Sequence, residues 1–163
     1  MKIHNNLIVV LFIIFVMALI IIYALNNKKE ADLRQVIHIS LDKCQSQLTG
    51  CVVKLNEFNI KLYFDKNIYY LKHFMISAIS ESTTNSKIES VYVDFKMKGM
   101  DLGINRFRLA NSSSSSDKQV WKGKAILPIC VTGRVDWISE VEVVTKQYKY
   151  ILSIPILVKQ PNS

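Results

Sequence analysis

From Phe58 onward the chain alternates, and that period of two is its strongest structural constraint. In FNIKLYF the apolar residues Phe58, Ile60, Leu62 and Phe64 fall on one side and Asn59 and Lys61 on the other. SVYVDFKM repeats the pattern, with Val91, Val93, Phe95 and Met97 set against Tyr92, Asp94 and Lys96. KHFMISAI, INRFRL, QVWKGKAIL, RVDWISEVEVV and YKYILSIPILV continue it, and in the last Tyr148, Tyr150, Leu152, Ile154 and Ile156 share a face. Successive side chains of a strand point to opposite faces, so each run offers one apolar side that another layer must cover. Seven or eight such runs, separated by turn residues and without an amphipathic helix, predict an all-β fold: an antiparallel β-sandwich. Pro155 interrupts the last run, which places it at an edge or a bulge because proline cannot donate to the ladder. NSSSSSD (Asn111–Asp117) reads as a flexible hairpin loop.

The first part of the chain has a different texture. LIVVLFIIFVMALIIIYAL, Leu7 to Leu25, carries no charge. As a helix it would span about 28 Å, close to the ~30 Å hydrocarbon core of a bilayer. A cleaved signal has a shorter apolar region and a small-residue cleavage site, which Ala24–Leu25–Asn26 does not supply. The expected layout is one N-terminal transmembrane helix as an inner-membrane anchor (1–27), a juxtamembrane linker (28–50), the β domain (51–159) and a short tail (160–163). The linker is expected to hold a helical turn or two around Asp32–Leu41. Lys28, Lys29 and Arg34 outnumber Lys2 across the span, which by the positive-inside rule favours a cytoplasmic body. A short tail, a span and a compact domain are nevertheless a common bacterial signal-anchor layout, and the cysteines favour an oxidising compartment. The expectation is export, with the domain in the periplasm.

The formal charge is +8 and Lys2 is the only charged residue before Lys28, so the remainder carries +7. Much of that charge sits at alternate strand positions, as in VWKGKAI and TKQYKYI. Such a face is ordinarily solvated, and beside a bilayer it is also suited to anionic headgroups or an acidic partner. No nucleic-acid recognition motif is present, and no nucleic acid is expected as a partner.

No phosphate loop, metal-binding histidine pair or nucleophile elbow occurs. His4, His38 and His73 are isolated, and Asp65, Asp94, Asp101 and Asp136 are scattered. These absences point away from an enzyme. Cys44 and Cys51 flank a short polar segment and are disulfide candidates, either with each other or one of them with Cys130. The third thiol is either buried and inert, a thiolate ligand, or an exchangeable redox thiol. Met97 points inward by the alternation, whereas Met100 lies beyond Gly99 in a turn. Met100 and Cys130 are both soft donors suited to Cu(I), which makes them the candidate metal pair. The plainer reading of MKGM is a turn that holds two sulfurs. Arg134 and Asp136 are two apart, so on a strand they share a face and can pair. Asn105 and Arg106 are expected at the same end, which gives a partner-docking set of Asn105, Arg106, Arg134 and Asp136.

VDFKMKGMDLGINRFRL and WKGKAILPICVTGRVDWISEVEV together resemble a set of single-span proteobacterial proteins akin to the FixH-like and YtkA-like group. The matching residues are Gly99, Met100, Gly103, Asn105, Arg106, Trp121, Gly123, Leu127, Pro128, Cys130, Gly133, Arg134, Asp136 and Trp137. The resemblance covers most of residues 40–158, and Cys44 and Cys51 look like the cysteine pair that precedes the first strands in such proteins. It implies an exported, membrane-tethered, immunoglobulin-like sandwich with a role in copper handling or in assembly of haem-copper respiratory oxidases. Related chains often carry a second thioether near the turn, where this chain has Leu102. The expected function is a membrane-anchored binding or assembly module with a protein partner in a membrane complex. The alternatives are a metal-free scaffold subunit of an envelope complex and a thiol-redox accessory protein using Cys130.

Overall fold

The computed structural model describes residues 11–25, 34–44, 46–47, 49–82, 86–100, 103, 105–115, 117–129 and 133–159. The chain divides into two units, Met1–Gln35 and Val36–Ser163. In the first, residues 11–25 form helix α1, and all its side chains are exposed. Leu7 to Val10, the start of the expected anchor, lie outside the described residues. Among the described residues no helix is long and apolar enough to cross a membrane.

The second unit is almost wholly β. Its strands are β1 (Gln35–Ser40), β2 (Cys51–Lys54), β3 (Phe58–Phe64), β4 (Ile68–Tyr69), β5 (Phe74–Ser82), β6 (Ile88–Met97), β7 (Arg106–Ser114), β8 (Lys118–Ala125), β9 (Asp136–Thr145) and β10 (Tyr148–Lys159). They form one curled, mixed sheet in the order β1-β10-β9-β6-β7-β8-β5-β3-β2, with β4 pairing β10 in parallel. The curl follows from β7, which changes partner along its length. Its first residues pair with β6, from Asp94↔Arg106 to Val91↔Leu109, and its later ones with β8, from Ala110↔Lys122 to Ser114↔Gln119. A bulge falls on β7 between Asn111 and Ser113. Bulges bend a strand and increase its twist, so the sheet turns here.

Where β7 leaves β6, the start of β6 loses a neighbour. The buried Gln119 side chain takes that place: Ile88 N donates to its Oε1 at 2.7 Å, and its Nε2 donates to Ile88 O at 3.2 Å. A side-chain amide carries the same donor and acceptor as a peptide group and can stand in for one.

The alternating faces meet inside the curl. Phe74 of β5 stacks edge-on against Phe95 of β6 at 5.6 Å, and Phe58 of β3 against Tyr150 of β10 at 6.1 Å. Neither pair joins strands that are adjacent in the sheet, so the apolar faces enclose one common core. The inward sets expected for β3, β6 and β10 are buried there, except Tyr148, which only packs against it.

Two stretches differ from expectation. Residues expected to make helical turns form β1, which the strand order places beside β10. Ile37, Ile39 and Leu41 alternate with His38 and Ser40 and pack against the core, so the body begins before the expected boundary at Cys51. The serine tract is half strand, since β7 continues to Ser114 and Ser112 Oγ donates to Val120 O at 3.0 Å. Backbone pairing needs no apolar side chains.

Of the alternatives for the cysteines, the Cys44–Cys51 disulfide is the one formed, with Cα atoms 5.6 Å apart. Cys51 opens β2 and Cys44 lies four residues past the end of β1, and these two strands stand at opposite ends of the sheet order. The loop between them also holds both ends together. Ser46 O accepts from Phe64 N of β3 at 3.3 Å, and the Gln47 amide bonds both Leu157 N and Leu157 O of β10 at 2.8 Å.

Candidate functional site

The candidate site lies where β6 ends and β9 begins. Met97, Lys98, Gly99 and Met100 form a turn closed by Met100 N donating to Met97 O at 3.2 Å, with Gly99 at φ 73°. Positive φ at the third turn position selects glycine, because a side chain there would collide with its own backbone. Met97 is only 3% exposed and sits opposite Trp137 in the β6–β9 register. Met100 is half-buried against the core.

Arg134 clamps this turn. Its Nη2 donates to Lys98 O at 3.0 Å, and its Nε donates to Asp136 Oδ1 at 2.8 Å within a forked pair. The hydrogen bond from Arg134 holds the Asp136 carboxyl below its ordinary range. The Arg134 carbonyl accepts from Tyr70 Oη at 2.7 Å, and Tyr70 Oη in turn accepts from Trp137 Nε1 at 3.3 Å. Tyr70 bridges to Leu127, so the segments after β4, β6 and β8 and before β9 are tied at one place.

Large apolar side chains stand exposed here: Leu71 at 59% and Val135 at 45% on the frame itself, and Ile129 at 58% two residues beyond Leu127. Leu71 also holds φ 55°, while its N–H donates to Leu127 O at 3.0 Å. Left-handed backbone costs an L-residue roughly 1–2 kcal/mol, so the surrounding bonds hold a strained residue with its side chain toward solvent.

The sequence-predicted docking residues separate into two groups. Arg134 and Asp136 pair with each other and join the Met97–Met100 turn. Arg106 belongs to the outer face of the sheet, where it bonds Asp94 at 3.0 Å and Glu142 at 2.9 Å and lies 4.2 Å over the Tyr92 ring. Burial works against its charge, but the bond to Glu142 and the charges of Glu142 and Asp94 outweigh it and raise its affinity for the proton. Burial raises Asp94 despite the opposing Arg106 charge. Asn105 contributes its carbonyl to Phe95 N at 3.3 Å, and its side-chain Nδ2 is buried with no partner among the described residues. Cys130 lies outside the described residues, and so does any Met100–Cys130 pair. The described soft donors here are one buried and one half-buried thioether, which do not by themselves make a Cu(I) donor set. Among the described residues no group of three or more His, Cys, Asp or Glu is gathered as a metal site.

Sequence reasoning missed Tyr70 and Leu71. NIYYLKH carries no motif, and the partner of Tyr70 lies 64 positions away.

No family model matches the chain, and no curated protein or solved structure is similar to it.

Proposed function

We propose that the protein is a membrane-anchored binding or assembly module that engages a protein partner through the Met97–Met100 end. The observation that carries this reading is the exposed set Leu71, Ile129 and Val135, held on and beside the frame of Tyr70, Arg134, Asp136 and Trp137. Apolar side chains on a fixed backbone lose little freedom on binding, and Arg134 and Lys98 beside them supply a polar rim. The curled sheet with its enclosed core is compatible with the finer reading, an immunoglobulin-like sandwich. Anchoring is supported by the uncharged run Leu7–Leu25, whose described helical part leaves every apolar side chain uncovered. The disulfide supports the exported, periplasmic reading.

A role in copper handling or respiratory oxidase assembly follows from the resemblance alone, and it would use Met100 with Cys130. Titration of the reduced full chain with Cu(I) separates it from a metal-free scaffold: binding that Met100→Ala and Cys130→Ala both weaken supports it, and no binding against a competing chelator removes it. The docking end is tested by placing a photo-crosslinking residue at Val135 or Ile129 in native membranes. The expected result is one discrete adduct from these positions and none from Glu140 on the outer face. Adducts of equal yield from all three, or from none, would overturn the assignment.

A further inference from the structure

The two outer faces of the curled sheet carry charge in different ways. On the β7-β6-β9-β10 side most cations have a carboxylate: Lys96 pairs with Glu140, Arg106 with Asp94 and Glu142, and Lys149 with Glu142, while Arg108 lies 6.0 Å from the Tyr92 ring. On the β2-β3-β5-β8 side the register sets Lys54 opposite Asn59, Lys61 between Val52 and Ile79, Lys122 opposite Ser77 and Lys124 opposite Met75. The carboxylates in these rows are Glu81, which Lys118 takes at 3.5 Å, and Asp65, whose Oδ2 accepts from Met75 N at 2.6 Å. Lys54, Lys61, Lys122 and Lys124 have no carboxylate partner among the described residues. No two of these lysines are directly opposite, and Lys61 lies 5.1 Å over the Tyr63 ring, so the face tolerates them and presents a net positive field to solvent.

We propose that this lysine face binds the anionic headgroups of a lipid bilayer. All its cations are lysines, while Arg106, Arg108 and Arg134 lie elsewhere. An ammonium is a point charge that needs no matched acceptor geometry, which suits a fluid headgroup layer. Planar recognition of a nucleic acid or a carboxylate-bearing protein favours arginine. Tyr63, Met75 and Val52 stand among the lysines, and such amphipathic and apolar side chains enter the interfacial layer. Each lysine near an anionic surface contributes roughly fivefold to binding, and the effect falls away with salt. The inference rests on the reading of Leu7–Leu25 as an anchor only for bringing the chain to a bilayer.

The test uses the full chain in lipid nanodiscs made of phosphatidylcholine alone or enriched in phosphatidylglycerol, with lysine acylation read by mass spectrometry. In the anionic discs, labelling of Lys54, Lys122 and Lys124 is expected to fall several-fold and to recover in high salt, while Lys96 and Lys149 stay unchanged. K122Q/K124Q, two solvent-facing changes whose folding a thermal melt verifies, should abolish the protection of Lys54. Equal labelling in both discs overturns the proposal, as does protection by soluble polyglutamate in place of lipid, which would identify an acidic macromolecule. If the chain does not enter discs, the anchor reading fails, and the same labelling on vesicles of the two compositions still decides the face.

Discussion

Gly50 and Gly99 share a backbone conformation, with φ 78° and 73°, but not a setting. A Cβ on Gly50 would stand 2.6 Å from the Tyr63 ring, whereas one on Gly99 would meet nothing within 4 Å. Gly99→Ala should therefore cost about 1 kcal/mol, the conformational term alone. Gly50→Ala adds displacement of the ring and should cost about 2–3 kcal/mol, part of it recovered in the double variant with Tyr63→Ala. Urea unfolding of the variants measures both. Tyr150 predicts a pH dependence. Burial, helped by the charge of Glu57, pushes its phenol up to about 12. The folded state then keeps a proton that the unfolded chain loses near pH 10, so stability should fall as pH rises from about 10 to 12, by about 2–3 kcal/mol. Tyr150→Phe should flatten that slope in thermal melts across the window. At this scale the sequence was partly readable: Arg134 and Asp136, two apart, pair as their spacing suggests. Arg106 and Arg134 separate because their places depend on strand register, which no short segment carries.

Among the elements, Gln119 replaces a missing strand neighbour at Ile88, so its loss would strand a buried N–H and a buried carbonyl together. Gln119→Leu should destabilise the domain by about 2–4 kcal/mol, with faster amide exchange at Ile88 as the local sign. Pro155 shows how an element tolerates a rule-breaker. Ser153 O accepts from Leu41, and both backbone groups of Leu157 bond Gln47, so the odd positions of β10 aim their groups away from β9. Pro155 falls between them, where its missing N–H removes no β9 bond, so β10 lies between β1 and β9 with an unbroken β9 register and is neither the edge nor the bulge expected. The strands whose apolar side faces the core announced themselves by alternation. β1 did not, because a charged, polar approach precedes its short Ile37–Ile39–Leu41 pattern. The second half of β7 could not, because serines pair there through backbone and hydroxyl bonds with no apolar side to show.

For the whole second unit, the Cys44–Cys51 bond and its loop hold together the two ends of the sheet order. By the chain-entropy estimate for a loop of about 8 residues, the bond contributes about 2.5 kcal/mol. Reduction should lower the unfolding free energy by roughly that amount without abolishing the fold, since Ser46 and Gln47 still bridge the ends. Denaturant curves with and without reductant check it; a loss of all structure on reduction would show that the hydrogen bonds count for little. The bond also sits between the first strand and everything that follows, and this has a mechanical consequence. Tension applied at the N-terminal end of this unit can peel β1, but at Cys44 it passes through sulfur straight to Cys51, so the bonds made by Ser46 and Gln47 are spared the load. Such a body can yield its leading strand under load and still keep the rest shut.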